Sequence, residues 1–571
     1  MKRTIILLAI SLSAPCAAFA EQKHTGTSNS PLKAFTTAER TVLPIAVSSA
    51  APAIAPYDIP SFQKYGYGEW EYGPGLPHIK RADLSPATHN PQAKSVAQLL
   101  HFFTITDIHI TDKESPAEAV FYGVMPMHPI ISAYSPAMLY TTHVLDAAVR
   151  TVNAIHKENK IDFGIALGDA ANSTQYNELR WFIDVLDGKQ INPSSGKHAG
   201  ADSVDYQKPY KAQGLDKSIP WYATLGNHDH LWVGSFPQSD KTRQAAIGST
   251  MLNIGNIFAS TLGTATTGYY VGAIDGSTEY GTPTGYGPVE KFSAPPTVAP
   301  DPDRRSLSTS QWMLEFFKTS TKPKGHGFSK KNAKRGFASY TFQPDPKLPL
   351  KVIVLDDTQR DDNPSDGNVG PDWGHGYLDE ERYTWLVREL DKVQAEGKLM
   401  IIAAHVPIGV IPQTKASLEG WSVLAAVSEK DLIAKLNTYP NLVMWVAGHR
   451  HKNTITPLMS PDPARPELGF WVVETSSLRE FPQQLRTFQL LRNDDNTLSV
   501  FVTNVDPIVE GLPLAATARR NAIAANQLFK TMPPAYEPPG SSYGSINAEL
   551  IKPLSPEMRA KIQAYGTPVS K

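Results

Sequence analysis

Strand-length apolar runs alternate with stretches of helical spacing over residues 99–230. Leu99-Leu100-His101-Phe102-Phe103-Thr104-Ile105-Thr106 is β-branched and aromatic, and predicts a strand ending at Asp107. Tyr140 to Asn159 places Val144, Leu145, Ala148, Val149 and Val152 on one side of a helix. Ile161 to Leu167 predicts a second strand, Asn177 to Leu186 a helix with Leu179, Phe182, Ile183 and Leu186 inward, and Trp221 to Leu225 a third strand. This alternation is that of an α/β sheet with covering helices. It breaks between His230 and Pro349, where Gly, Thr, Pro and Tyr dominate and a helix near Ser310 to Lys318 interrupts. A structureless loop of that length would be unusual, so an elaborated insertion is expected, lying over the pocket. Strands resume at Leu350 to Leu355, Leu399 to Ala404 and Leu442 to Ala447, with a helix from Asp379 to Gln394 capped by Asp379. Phe470 to Thr475, Leu485 to Leu491 and Leu498 to Val502 read as antiparallel strands.

The strand ends carry the chemistry. The first ends in Asp107-Ile108-His109, the second in Gly168-Asp169 with Asn172, the third in Gly226-Asn227-His228-Asp229-His230. Two later strands end at His405 and at Gly448-His449-Arg450-His451. Open α/β sheets place their sites at the carboxyl ends of strands, so five clusters obey one rule. A strand cannot aim neighbouring side chains at one point, but a chain that stops at a glycine and bends can. Convergence of the five on a two-metal hydrolytic centre is the expectation.

Composition narrows the alternatives. The formal net charge of -1 over 571 residues gives no electrostatic footprint for nucleic acid. Met1-Lys2-Arg3, the apolar run Thr4 to Ile10 and Ala18-Phe19-Ala20 have the form of a signal peptide cleaved after Ala20, which predicts a periplasmic or secreted protein. No later run is long and apolar enough to span a bilayer. Cys16 is the single cysteine, so a processed chain would hold none and must rest on packing and metal. The expected organisation is a signal peptide over 1–20, an extended arm over 21–95, a catalytic domain over 96–505 with an insertion over about 231–349, and a surface-wrapping tail over 506–571.

Taken in order, Asp107-x-His109, Gly168-Asp169-x-x-Asn172, Gly226-Asn227-His228-Asp229, His405 and Gly448-His449-x-His451 resemble the calcineurin-like metallophosphoesterase superfamily. The resemblance spans roughly Leu99 to Thr503. It implies a four-layer αββα sandwich and a binuclear phosphoric ester hydrolase. It also implies one cation on Asp107, His109, Asp169 and His451, and a second on Asp169, Asn227, His405 and His449. Imidazole, carboxylate and amide donors suit Mn, Zn or Fe. Direct attack by metal-activated hydroxide on a phosphomonoester or phosphodiester, without a covalent intermediate, would follow. His228 would be the general acid and Asp229 would orient its ring. The chain departs from the family's purple acid phosphatases, which carry Tyr where Asn172 stands and Gly where His109 stands, so a tyrosinate-bound ferric centre is not expected.

Other residues carry weaker expectations. Asn172 is a candidate for substrate contact or for capping its loop, and His230 for contact with substrate. Arg479 is a candidate phosphate contact beside the plainer reading of a surface salt bridge. Met125-Pro126-Met127-His128-Pro129 could line the pocket; His198, His326 and His375 are expected to be solvated, His101 and His156 structural, and Asp356 and Asp357 to serve packing and turns. The rival readings are a phosphodiesterase for cyclic nucleotides or lipid head groups, and a binding protein with a silent metal site. The substrate is a small phosphate ester whose identity, like the oligomeric state, the sequence leaves open.

Overall fold

The computed structural model describes residues 33–86, 90–124, 134–202, 204–255, 268–358, 374–410, 420–529 and 547–569. The signal-peptide pattern and the Met125–Pro129 segment lie outside them. Two mixed sheets, of eight and six strands, are the largest among the described residues. One runs in the order Ile79–Arg81, Asn547–Lys552, Leu498–Val505, Leu485–Asn493, Ser95–Ile105, Phe163–Ala166, Trp221–Ala223, and the last three strands are parallel. The other runs Tyr340–Phe342, Leu350–Val354, Leu399–Ala403, Leu442–Ala447, Phe470–Glu474, Thr454–Leu458, with its four middle strands parallel.

These parallel strands read as continuous apolar runs because both faces are covered. Along Leu350–Val354, the side chains of Val352 and Val354 join a large core with Phe102, Phe488, Val500, Ile401 and Met444 from both sheets. Ile353, between them, turns the other way into a second cluster. There Leu386, Leu390 and Val393 of the Glu380–Ala395 helix and Leu432 and Leu436 of the Glu429–Leu436 helix cover it. The predicted inward residues of the Thr141–Glu158 and Tyr176–Leu186 helices all sit in the large core. Phe102 lies stacked between Phe163 at 4.9 Å and Phe488 at 4.6 Å, which locks the centre of the first sheet.

The ends of the chain are more integral than predicted. The tail does not simply wrap the surface, since Asn547–Lys552 inserts between Leu498–Val505 and Ile79–Arg81 of the first sheet. The Pro513–Phe529 helix is half apolar and buries Ala518, Ala522, Ile523, Ala524 and Ala525. The insertion contains a hairpin of Tyr269–Asp275 with Thr282–Pro288 and helices at Asp240–Ile247 and Thr309–Glu315. Phe470–Glu474 pairs parallel with Leu442–Ala447 rather than only antiparallel. Among the described residues no helix is long and apolar enough to cross a membrane.

Two histidines expected in solvent are engaged. His198 Nδ1 bonds Glu114 Oε1. His326 is fully buried, stacked at 3.5 Å on Trp221, with Nδ1 donating to the Trp221 carbonyl and Nε2 meeting Thr319 Oγ1. Burial lowers its pKa from 6.5 to about 4. The folded state thus binds fewer protons than the unfolded state between those values. Its contribution is complete above the ordinary histidine pKa and is lost as pH falls through that window, about 3 kcal/mol in all. His326→Gln, compared with wild type by thermal unfolding, is expected to be less stable at neutral pH but to lose less stability on acidification to about pH 4.5.

Candidate metal centre

At three of the five predicted strand ends the backbone turns through the left-handed region. Asp107, His109, Asp169, His449 and His451 all have φ between 45° and 76°, half of the ten non-glycine residues with positive φ among those described. That conformation costs ~1–3 kcal/mol per residue and persists only where surrounding structure imposes it, typically at functional sites. The imposition is visible in the main chain. Asp107 N–H donates to the Gly168 carbonyl at 3.1 Å, His109 N–H to the Asp169 carbonyl at 3.0 Å, and Gly448 N–H to the His405 carbonyl at 3.0 Å. Two glycines are required by close approach rather than by φ. A Cβ on Gly226 would lie 2.2 Å from Asp169 Oδ1, and one on Gly448 would lie 2.4 Å from Asp107 Oδ2.

All seven predicted ligands meet in one place. Asp169 Oδ2 lies 3.3 Å from His405 Nε2 and 3.7 Å from His109 Nε2, so one oxygen serves both halves. On one side, His451 Nε2 is 3.1 Å from His109 Nε2 and 3.4 Å from Asp107 Oδ1. On the other, Asn227 Oδ1 is 2.8 Å from His405 Nε2 and 3.2 Å from His449 Nδ1. The Asn227 amide is turned this way because its Nδ2 donates to the Gly234 carbonyl at 2.9 Å. His405 Nδ1 donates to the Leu167 carbonyl at 2.8 Å, which turns Nε2 inward.

Ligand-type nitrogen and oxygen atoms therefore crowd together, and among the described residues buried Asp107 Oδ1 has no hydrogen-bond partner. Asp107, His109 and His451 form one group whose ligand atoms all lie within 4.8 Å of one another, as do Asp107, Asp169 and His405, and His109, Asp169 and His228. Carboxylate, imidazole and amide oxygen are donors a divalent cation accepts, and the orphaned carboxylate oxygen fits one. The buried carboxylates draw positive charge to the cluster. Burial lowers His109 and His449 well below the usual histidine value, keeping both neutral. Burial would raise the Asp107 and Asp169 carboxyls, but His451 and His405 outweigh it and hold both anionic. Burial likewise works against charge on His405, yet Asp169 and Asp107 lift it to about 10.

The surrounding residues amend the predicted roles. Asp229 does not orient His228. Its Oδ2 accepts from Gly226 N–H at 2.9 Å and its Oδ1 from Ala171 N–H at 3.1 Å. Consecutive residues of the 3₁₀ turn Asn227–Asp229 point about 120° apart, so the acid cannot reach its neighbour's ring. The His228 ring is held instead through Nδ1 by the Asn172 carbonyl at 2.6 Å, edge-on to His109 at 4.4 Å. Asn172 is a brace rather than a free substrate contact: Nδ2 donates to Glu118 at 2.6 Å and Oδ1 accepts from Arg479 at 2.7 Å. Arg479 is not at the surface; its exposure is 1%. His230 is buried at the close of the same turn.

Glu480 was missed by sequence reasoning. Its Oε1 lies 3.1 Å from His451 Nδ1, and its neighbour Ser477 donates to the Asp107 carbonyl at 2.6 Å. Asp357 takes the main-chain N–H groups of His405 and Val406. Carboxylates placed on the far nitrogen of a metal-facing histidine are common. That preference makes an acid beside a strand end worth seeking, but nothing in the spacing singled out this one.

No protein-family model and no curated protein matches the chain. Among solved structures, a crystal structure of a dimetal phosphatase from Danio rerio superposes with a TM-score of 0.35 at 12% identity, over 72% of this chain and 97% of that one.

Glu480→Gln is expected to weaken uptake of Mn²⁺ or Zn²⁺ by roughly 10- to 100-fold, measured by competition with a chromogenic chelator. Wild type saturated at 100 times its Kd should gain about 2.7 kcal/mol of unfolding free energy, and the variant correspondingly less at the same metal concentration.

Proposed function

We propose that the protein is a binuclear metal-dependent phosphoric ester hydrolase, built as a four-layer αββα sandwich around the two sheets. The observation that carries this reading is the placement of Asp169 Oδ2 between His109 Nε2 and His405 Nε2, where one carboxylate can serve two cations. Asp107, His109, Asp169 and His451 would hold one, and Asp169, Asn227, His405 and His449 the other. Two divalent cations held there would neutralise phosphoryl charge and lower the pKa of a coordinated water from about 15.7 towards ~7. Export is proposed on the Met1–Ala20 pattern alone.

His228 supplies the proton to the departing oxygen. A carbonyl can only accept, so His228 Nδ1 is the donor to Asn172, and the transferable proton is the second one of the imidazolium, on Nε2. Burial lowers its proton affinity on balance, with Asp169 countering only part of that; a phosphoryl anion alongside would raise it and favour the imidazolium. The Asn172 carbonyl fixes the ring so that little reorganisation is needed at the moment of transfer.

A second reading of the same residue comes from the grouping of His228 with His109 and Asp169, which makes it a possible ligand. His228→Ala separates the two. As general acid, its loss should cut kcat on a chromogenic phosphate ester by about 10²–10⁴ with metal content unchanged. As ligand, the metal itself should go. Chelator treatment should abolish wild-type activity and Mn²⁺ or Zn²⁺ restore it. A fully metallated wild type that turns over no phosphate ester of any class would end the assignment.

A further inference from the structure

Outside the seven ligand side chains and His228, one group stands out beside the centre. The Arg479 guanidinium is buried, and only Nη1 is used by a described partner, the side-chain oxygen of Asn172 at 2.7 Å. Among the described residues, Nε and Nη2 are buried without a hydrogen-bond partner. Two donors of a permanently charged fork left unmade are expensive, because each has given up water for nothing. Evolution tolerates such donors where a ligand completes them.

Its position is fixed from three sides. The backbone N–H of Arg479 donates to Ser477 Oγ at 2.9 Å, and that hydroxyl donates to the Asp107 carbonyl. The next residue, Glu480, reaches His451. Through Asn172, Arg479 is one hydrogen bond from the residue whose carbonyl orients His228. Its charge is close enough to His109 and His228 to disfavour protonation of both. Burial works against its charge, and the Glu480, Glu118 and Glu178 carboxylates offset part of that. Glu118 and Gln175 bond each other, while Glu178 is committed to the Asp112, Asn172 and Ser173 amides. Those acids therefore do not reach the free edge of the fork.

Resting on the phosphoester-hydrolase reading, we propose that the Nε/Nη2 edge of Arg479 binds a terminal phosphoryl oxygen of the substrate and makes the site prefer phosphomonoester dianions over phosphodiesters. A guanidinium presents two parallel N–H groups matched to a charged, planar pair of acceptors, and gains most from a full negative charge. A monoester dianion has three terminal oxygens sharing two charges. A diester has two terminal oxygens sharing one, and its ester oxygens are poor acceptors. A fixed cation facing the phosphoryl group thus discriminates between them.

The test uses full-length, metal-loaded protein with paired chromogenic monoester and diester substrates, and inorganic phosphate as a binding probe. Arg479→Gln should keep its metal content, lose about 10- to 100-fold in phosphate affinity by calorimetry, and lose at least as much in monoester kcat/KM while diester turnover falls only a few-fold. Arg479→Lys, which keeps the charge but not the fork, should recover part of the phosphate affinity. A wild-type structure holding phosphate or vanadate should place an oxygen within hydrogen-bond reach of Nε or Nη2, and this arm stands even where a variant fails to fold. Unchanged phosphate affinity, equal losses on both ester classes, or an anion bound away from Arg479 overturns the proposal while leaving the hydrolase reading intact. A metallated wild type inert to every phosphate ester takes both down.

Discussion

The carboxylate of Asp169 is the constraint on which the rest of the site depends. Its Oδ1 accepts the His228 main-chain N–H at 2.8 Å, and its Oδ2 stands between imidazoles from two different sheets. Both oxygens are thus spent on positioning groups that arrive from residues 109, 228 and 405 of the chain. That arrangement leaves no room for a side chain at Gly226. Asp169 itself has a left-handed backbone, flanked by main-chain bonds from Asp107 N–H to the Gly168 carbonyl and from His109 N–H to its own carbonyl. The strand ends are therefore not independent ligand carriers; they are laced to one another before any side chain is considered.

Such a cluster works against stability. Five residues hold left-handed backbones, two carboxylates and several imidazoles are out of water, and a buried oxygen of Asp107 lacks a partner. Each feature costs on the order of 1–3 kcal/mol when nothing compensates it. The compensation lies in the core beneath, where parallel strands are apolar on both faces and Phe102 stacks on two rings. A rigid, well-packed scaffold with a strained rim is what preorganised chemistry requires, because groups held by packing need not be reorganised as charge develops.

Much of this was legible in the chain itself, and the limits have a physical pattern. Strand ends were legible because apolar runs stop abruptly at Asp107, Gly168-Asp169, His405 and Gly448, and α/β sheets put sites there. What escaped was side-chain direction within turns. Asp229 adjoins His228 in sequence yet points at Gly226 and Ala171, since a 3₁₀ turn fans its residues apart. Glu480 and Arg479 are neighbours serving different ends, one on His451 and one on Asn172. Strand order escaped as well: Asn547–Lys552 follows an Ala- and Pro-rich stretch, and nothing local announces that it pairs with Ile79–Arg81 in the first sheet. Pairing across more than four hundred residues is a tertiary outcome that propensity does not encode.

The insertion, which interrupts the α/β pattern, is tied to the site through buried charge rather than apolar contact alone. Arg304, from the insertion, donates through Nε to Asp112 Oδ2 at 3.1 Å, three residues beyond His109, with both groups almost fully buried. Asp112 in turn shares Glu178 with Asn172: one oxygen of Glu178 takes the Asp112 N–H at 2.8 Å and the other takes the Asn172 N–H at 3.1 Å. Ile274 of the insertion hairpin adds a main-chain bond to Lys113 at 2.7 Å, and Trp232 donates to Ala117. Removing one partner from a buried pair such as Arg304–Asp112 typically costs ~3–5 kcal/mol, so this anchor is not incidental to the fold. Whatever surface the insertion presents to a substrate is thereby referenced, through Glu178 and Asn172, to the same carbonyl that orients His228. The insertion and the His228 ring are held by one hydrogen-bonded frame.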